Sequence, residues 1–259
     1  MPVTGNSLDS SHGFRYELRD FLRFIRHPAP NPRVRRRFSV PTNGFVADWL
    51  CTPRWRRLLQ WAGFLWAVNL VLLGPIAVAA ATAAGAEHRL DVQAIPWLQA
   101  LVWAPLIEEL VFRYGLRRPG KAWWLVPAAA VIMFSGPVLT AQLSLMALLL
   151  ICWWPAVRTD GAGRPGVPAA VFRRRRHAVR HYGWLFHGSS LAFAAIHLHN
   201  FTFGQTAWWL LPLLVLPQWL TGMVLGWLRI RHGIGAAIRL HALFNAGPLI
   251  LVWMLVGLL

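Results

Sequence analysis

The sequence predicts an all-α, polytopic transmembrane helical bundle of about seven spans with a cytoplasmic N-terminus. Three observations carry that prediction. Apolar residues make up 56% of the chain and mean hydropathy is +0.45, a profile of membrane rather than soluble proteins. The apolar residues gather in runs of roughly 20, the length needed to cross a hydrocarbon core as a helix. The arginines gather between those runs, as they do in cytoplasmic loops.

The elements follow in order. Residues 1–54 form a basic cytoplasmic N-terminal segment, polar enough that no cleavable signal sequence is expected. Within it Phe14, Leu18, Phe21, Leu22 and Ile25 share one helical face, while Arg15, Arg19, Arg23 and Arg26 lie mostly on the other. That pattern predicts either a short helix lying on the anionic lipids of the inner leaflet or a solvated tail that only enforces topology. A transmembrane domain over 55–259 then holds apolar segments at Leu58–Ala84, Pro96–Leu116, two within Ala122–Val157 that turn at Gly136-Pro137, Gly183–Phe201, Ala207–Leu228 and Gly233–Leu258. An Arg-rich loop occupies 158–182.

Charge tests the span count. Eleven arginines precede Leu58, and counting crossings from a cytoplasmic N-terminus puts Arg117, Arg118, Lys121, the 158–182 loop and the Arg229-Ile230-Arg231 turn on the same side. The loop at 86–95, with Glu87, Arg89 and Asp91, falls on the other side and is nearly neutral. The net charge of +17 is therefore read as a cell-membrane, multi-pass signature and not as nucleic-acid binding. Cys51 and Cys152 sit near cytoplasmic ends, where thiols stay reduced.

Of nine acidic residues only Glu108 and Glu109 fall inside an expected span, where a carboxylate costs a few kcal/mol on the gentler insertion scales, about 2.5–3.5. Helical neighbours point about 100° apart, so the two serve different purposes. Arg113, four residues beyond Glu109, can tie that one down as an ion pair. Two further spans carry histidines at helical spacing from a partner, in Phe193-x-x-x-His197 and His241-x-x-x-Asn245. A single such histidine is ordinarily a helix–helix hydrogen-bond partner. Three polar elements on three spans point to a shared site. Gly222 and Gly226 form a small-xxx-small pair expected to pack helices closely.

These three elements, in this order, resemble the motifs of the CAAX protease and bacteriocin-processing (CPBP, or Abi) family of intramembrane glutamic endopeptidases. The resemblance covers about residues 95–120 and 183–255. It implies that Glu108 is a general base activating water, with His197 holding that water. It implies that His241 and Asn245 donate hydrogen bonds to the oxyanion, with Glu109, Arg113 and Phe193 in support. It also implies a metal-free reaction with no cofactor, although a Glu/His set is one that zinc can use. The gap between Glu109 and His197 is long for the family, and 121–182 reads as an inserted hairpin with its Arg-rich loop.

The expected activity is hydrolysis of a peptide bond in a membrane-associated protein or peptide, at a site facing the cytoplasm. Depth fits unevenly: Glu108 and His241 lie about 12 Å from the cytoplasmic ends of their spans and His197 about 21 Å. Assigning Gly183–Gly188 to the interface reduces the difference. The alternative is a non-catalytic membrane partner or bacteriocin self-immunity protein that keeps the polar cluster as a structural network. A proton-relaying transporter is disfavoured because no inverted repeat is visible.

Overall fold

Prolines decide where the long apolar helices depart from regular α geometry. In the computed structural model, which describes residues 13–30, 48–50, 53–158, 181–204 and 207–256, helix α2 (Trp55–Ala84) contains a π turn at Asn69–Leu73. Gly74-Pro75 follows directly. A proline cannot bond the carbonyl four residues back, and the ladder widens to let Gly74 N–H reach Asn69 O. A side chain on Gly74 would sit 2.4 Å from that same oxygen. The second apolar segment repeats the device: a π turn at Gln99–Trp103 runs into α3 (Ala104–Phe112) at Ala104-Pro105, and Ala104 N–H reaches Gln99 O.

The remaining elements are α4 (Pro119–Phe134), α5 (Leu139–Arg158), α6 (Tyr182–Ile196), α7 (Leu211–Leu214), α8 (Leu216–Arg231) and α9 (Ile234–Val256). The α4–α5 turn falls at Gly136, whose φ of +72° suits glycine. Helices α2 and α9 are each long and apolar enough to cross a membrane, and the segment Trp208–Leu214 with α8 forms a third candidate bent by 48°. Large apolar side chains such as Val71, Val131, Phe134, Leu139, Trp184 and Trp208 face outward, on a scale unusual for a soluble monomer. The protein is a helical membrane protein. One small sheet was not expected: β1 (Ala86–His88) pairs antiparallel with β2 (Phe201–Phe203), Glu87 opposite Thr202.

The bundle has two distinct ends. β1, β2 and the C-terminal ends of α2, α4 and α6 lie at one. At the other, Arg229 is fully buried and pairs with Asp48, which also takes Arg118 at 3.2 Å, while Arg231 holds Asp20 at 2.7 Å. The Arg229-Ile230-Arg231 sequence, expected as a turn between spans, is thus the buried last turn of α8. Aspartates of the N-terminal segment neutralise it.

Helix α1 (Phe14–Arg26) refines a second expectation. Part of its apolar face is covered by the protein itself: Phe21 packs edge-on to Trp61 and Trp227, and Phe24 to Phe186, while Leu22 stays exposed. Burial of each such ring is worth roughly 1.5–3 kcal/mol. Two acids secure it. Glu17 accepts from Trp61 Nε1 at 3.0 Å, and Asp20 from Trp227 Nε1 at 2.8 Å. Arg33–Arg37, Cys51 and residues 159–180, with Arg173–Arg176, lie outside the described residues.

Candidate active site

Close packing of α6 on α8 builds the framework of the site. A side chain at Gly226 would meet Phe186 at 2.7 Å, and one at Gly222 would meet Phe193 at 3.0 Å and Arg113 Nη2 at 3.3 Å. The glycine pair read as a packing motif therefore makes the room in which Arg113 lies across Phe193, its Cζ 3.7 Å from the ring centroid. Phe193 is the hub: His197 stacks against it at 4.7 Å and His241 at 5.6 Å, both edge to face.

Glu109 is fully buried and its Oε1 serves two partners, Arg113 Nη1 at 3.1 Å and His241 Nδ1 at 3.1 Å. The Arg113 contact is a charge contact: its angle is too poor for a hydrogen bond, since neither Nη atom finds an aligned acceptor among the described residues. His241 Nε2 lies 3.9 Å from Glu108 Oε2, beyond hydrogen-bond range. Glu108 is 15% exposed, and its buried Oε2 has no hydrogen-bond partner among the described residues.

The two imidazoles are held in defined tautomers by their acceptors. Phe193 O can only accept, so the 2.7 Å contact with His197 Nδ1 places the proton there and leaves a lone pair on Nε2. An ionised Glu109 does the same for His241, whose Nε2 becomes a donor only when the ring is doubly protonated.

Glu108 and His197 line one cavity of about 610 Å³, within the range of about 300–1,000 Å³ typical of ligand pockets. Its α3-side wall is Gln99, Trp103, Ala104, Ile107 and Glu108, successive turns of one helix face running from Glu108 towards the helix start. Met133 and Phe134 at the end of α4, Ala195 and Ile196 at the end of α6, Leu198, His199 and Asn200 in the turn after it, Phe201, Phe203 and Arg89 complete it. Those outside α3 lie near the end that carries β1 and β2. They include none of Arg118, Arg229 and Arg231. Helix α6 runs unbroken from Tyr182, with Tyr182 and Phe186 buried, and His197 is the first residue after it.

Asn245 stands apart from the cavity and gives Nδ2–H to Ala100 O at 2.9 Å. The reason lies in the π turn. Ala104 N–H is taken by Gln99 O, and the next residue, Pro105, has no N–H for Ala100 O. Asn245 satisfies that freed carbonyl and ties α9 to the start of α3. Sequence reasoning missed Gln99, Trp103 and Arg89 as wall residues. The Ala104-Pro105 pair was the available signal for the irregular turn. Among the described residues no group of three His, Cys, Asp or Glu side chains is gathered for a metal.

A family model described as type II CAAX prenyl endopeptidase Rce1-like matches residues 91–247, a stretch that includes Glu108, Glu109, Arg113, Phe193, His197, His241 and Asn245. It runs through the α4–α5 hairpin as well. Comparison with curated proteins and with solved structures finds no match.

Proposed function

Because this chain belongs to the Rce1-like family of type II CAAX prenyl endopeptidases, we propose that it hydrolyses a peptide bond in a membrane-associated protein or peptide with water activated by Glu108. One observation carries the reading: a buried carboxylate oxygen of Glu108, with no hydrogen-bond partner among the described residues, stands on a cavity wall shared with His197. An ionised carboxylate in such a setting needs a ligand with hydrogens to give, and water supplies them.

In the proposed reaction Glu108 takes one proton from water and His197 Nε2 accepts the other O–H. The hydroxide adds to the scissile carbonyl, and Glu108 returns its proton to the departing amine. His241 in its doubly protonated form offers Nε2–H beside Glu108, where the oxyanion develops. Glu109 holds that ring and is itself anchored by Arg113. Asn245, expected as a second oxyanion donor, is assigned a positioning role, since one of its two Nδ2–H donors is held by Ala100 O and it does not line the cavity. Phe193 stacks both imidazoles into place. Water activation is assigned to Glu108 and not to zinc, so activity should survive a chelator.

The proposed topology has seven crossings in the cell membrane and a cytoplasmic N-terminus. Residues 1–54 form the N-terminal segment and 55–259 the membrane domain. The basic end then faces the cytoplasm, where its arginines outside the buried network meet anionic lipids, and the lining residues beyond α3 lie towards the outer face. The hairpin within 121–182 contributes Met133 and Phe134 to the cavity wall, which ties it to substrate choice.

The test compares the purified wild type with Glu108→Gln on a quenched library of membrane-anchored peptides, with and without chelator. We expect cleavage by the wild type, at least a ~100-fold loss in the variant and no effect of chelation. Equal rates in both proteins would refute the assignment.

A further inference from the structure

We propose that Asp48 is a positioning residue for the hydrolysis: with Arg229 it fixes the end of α3 relative to the start of α9, and so sets the spacing of Glu108 and Glu109 from His241. This rests on the reading of Glu108 as the water-activating base. Asp48 precedes the matched stretch 91–247, yet it is buried in the basic end among residues of that stretch. Its Oδ1 accepts from Arg229 Nη1, and the two residues are 1% and 0% exposed.

The guanidinium passes the constraint to α3. Arg229 Nε donates to Arg113 O at 3.2 Å. The same carbonyl takes Leu116 N–H at 3.2 Å, so Arg229 occupies its second lone pair. Arg113 caps the C-terminal end of α3. One turn earlier stands Glu109, whose Oε1 lies 3.1 Å from Arg113 Nη1 and 3.1 Å from His241 Nδ1. A buried aspartate from the N-terminal segment is thereby joined, through one arginine, to the residue that anchors the site.

The backbone of the same segment sets α9. Gly233, at φ +115°, lies so close that a side chain there would sit 2.5 Å from Asp48 O. A side chain on Gly235 would collide with Trp49 O. Helix α9 starts at Ile234, between these two contacts, and His241 follows about two turns on. Residues 48 and 49 therefore bear on both helices whose side chains meet as Glu109–His241 at 3.1 Å and Glu108–His241 at 3.9 Å. A displacement of about 1 Å at such a site can cost about 100-fold in rate. Arg117 also reaches Ile230 O, a second tie between the end of α3 and α8. Loss of the Asp48–Arg229 link alone should therefore cost less, about tenfold.

The experiment uses the full chain in lipid nanodiscs. Asp48→Leu with Arg229→Met removes the link without stranding a charge and leaves the backbone contacts at Gly233 and Gly235 in place. Asp20→Leu with Arg231→Met is the control. It removes the other ion pair of this end, whose hydrogen bonds among the described residues reach neither α3 nor α9. Two quantities are measured: kcat and KM on a peptide the wild type cleaves, and the 15N resonance of His241 Nδ1, assigned by its loss in His241→Gln. We expect the Asp48/Arg229 variant to lose about tenfold in kcat with KM within about twofold. Its His241 Nδ1 resonance should move away from the hydrogen-bonded position. The control should change neither. An unchanged kcat, an unmoved resonance, or the same losses in the control would each overturn the proposal. A resonance that responds as expected in a protein whose wild type hydrolyses nothing would count against the Glu108 reading alone.

Discussion

The pair Glu109–Arg113 offers the sharpest quantitative test of how the site is held. Arg113 is 1% exposed and Glu109 fully buried, with Nη1 and Oε1 3.1 Å apart. At that distance and an effective dielectric of about 20, unit charges attract by roughly 5 kcal/mol. Each ion also forfeits several kcal/mol of hydration, so the pair as a whole contributes little net stability. Removing one partner is different. Glu109→Gln keeps an acceptor for His241 but leaves a buried guanidinium without its counter-charge, at a cost of about 3–5 kcal/mol. Arg113→Met strands the carboxylate at a similar cost. In the double substitution no charge is stranded, and most of that loss should return, giving a coupling energy of at least about 2 kcal/mol. Unfolding can be followed through Cys152, which is buried, by its reaction with a thiol-directed fluorophore in a Cys51→Ser background. Additivity of the two single effects to within about 0.5 kcal/mol would refute the reasoning, because it would mean the two groups do not feel each other.

His197→Ala removes the acceptor proposed to steady the attacking water and should lower kcat at least ~100-fold with little change in KM, measured on any peptide the wild type cleaves. Gly226→Ala puts a methyl group 2.7 Å from Phe186 and should cost about 1–3 kcal/mol; Phe186→Leu in the same protein should recover part of it, as thermal unfolding would report. Asp48→Asn should destabilise the protein by about 3–5 kcal/mol by leaving the fully buried Arg229 short of its counter-ion. Burial holds the Glu17 carboxyl above its ordinary range, against the lowering influences of Trp61 and Arg57. The docking of α1 should therefore be strongest below pH 4.5, the ordinary value, and weaken as pH rises through the elevated folded-state value. Glu17→Gln should abolish that slope, read as protection of α1 from protease.

Much of the molecule was written in local pattern. Each apolar run is helical because a chain out of water must satisfy its own backbone groups, and Gly136-Pro137 marks the hairpin because its φ is one glycine tolerates. Glu108, Glu109, Arg113, Phe193, His197, His241 and Asn245 stood out because polar residues in apolar runs are costly and so are noticed. Charge was harder to read. The arginines at 229 and 231 counted correctly towards one end of the bundle, but nothing local said they would be buried, because their partners Asp48 and Asp20 lie some 180 and 211 residues earlier in the chain.

The sequence by itself determined where the apolar helices lie, which end is basic and which polar side chains stand inside apolar runs, since all three depend on composition and near-neighbour spacing. Only the tertiary structure decided what those side chains do for one another. Periodicity places Asn245 on the face of His241 but cannot reveal that Pro105, on another helix, has freed a carbonyl for it. It places Phe21 and Phe24 on an apolar stripe but cannot distinguish lipid from Trp61 and Trp227 as the surface they cover. Nor can it outline the cavity, because the wall is a joint product of α3, α4, α6 and the β1–β2 pair, and a gap between helices has no sequence of its own.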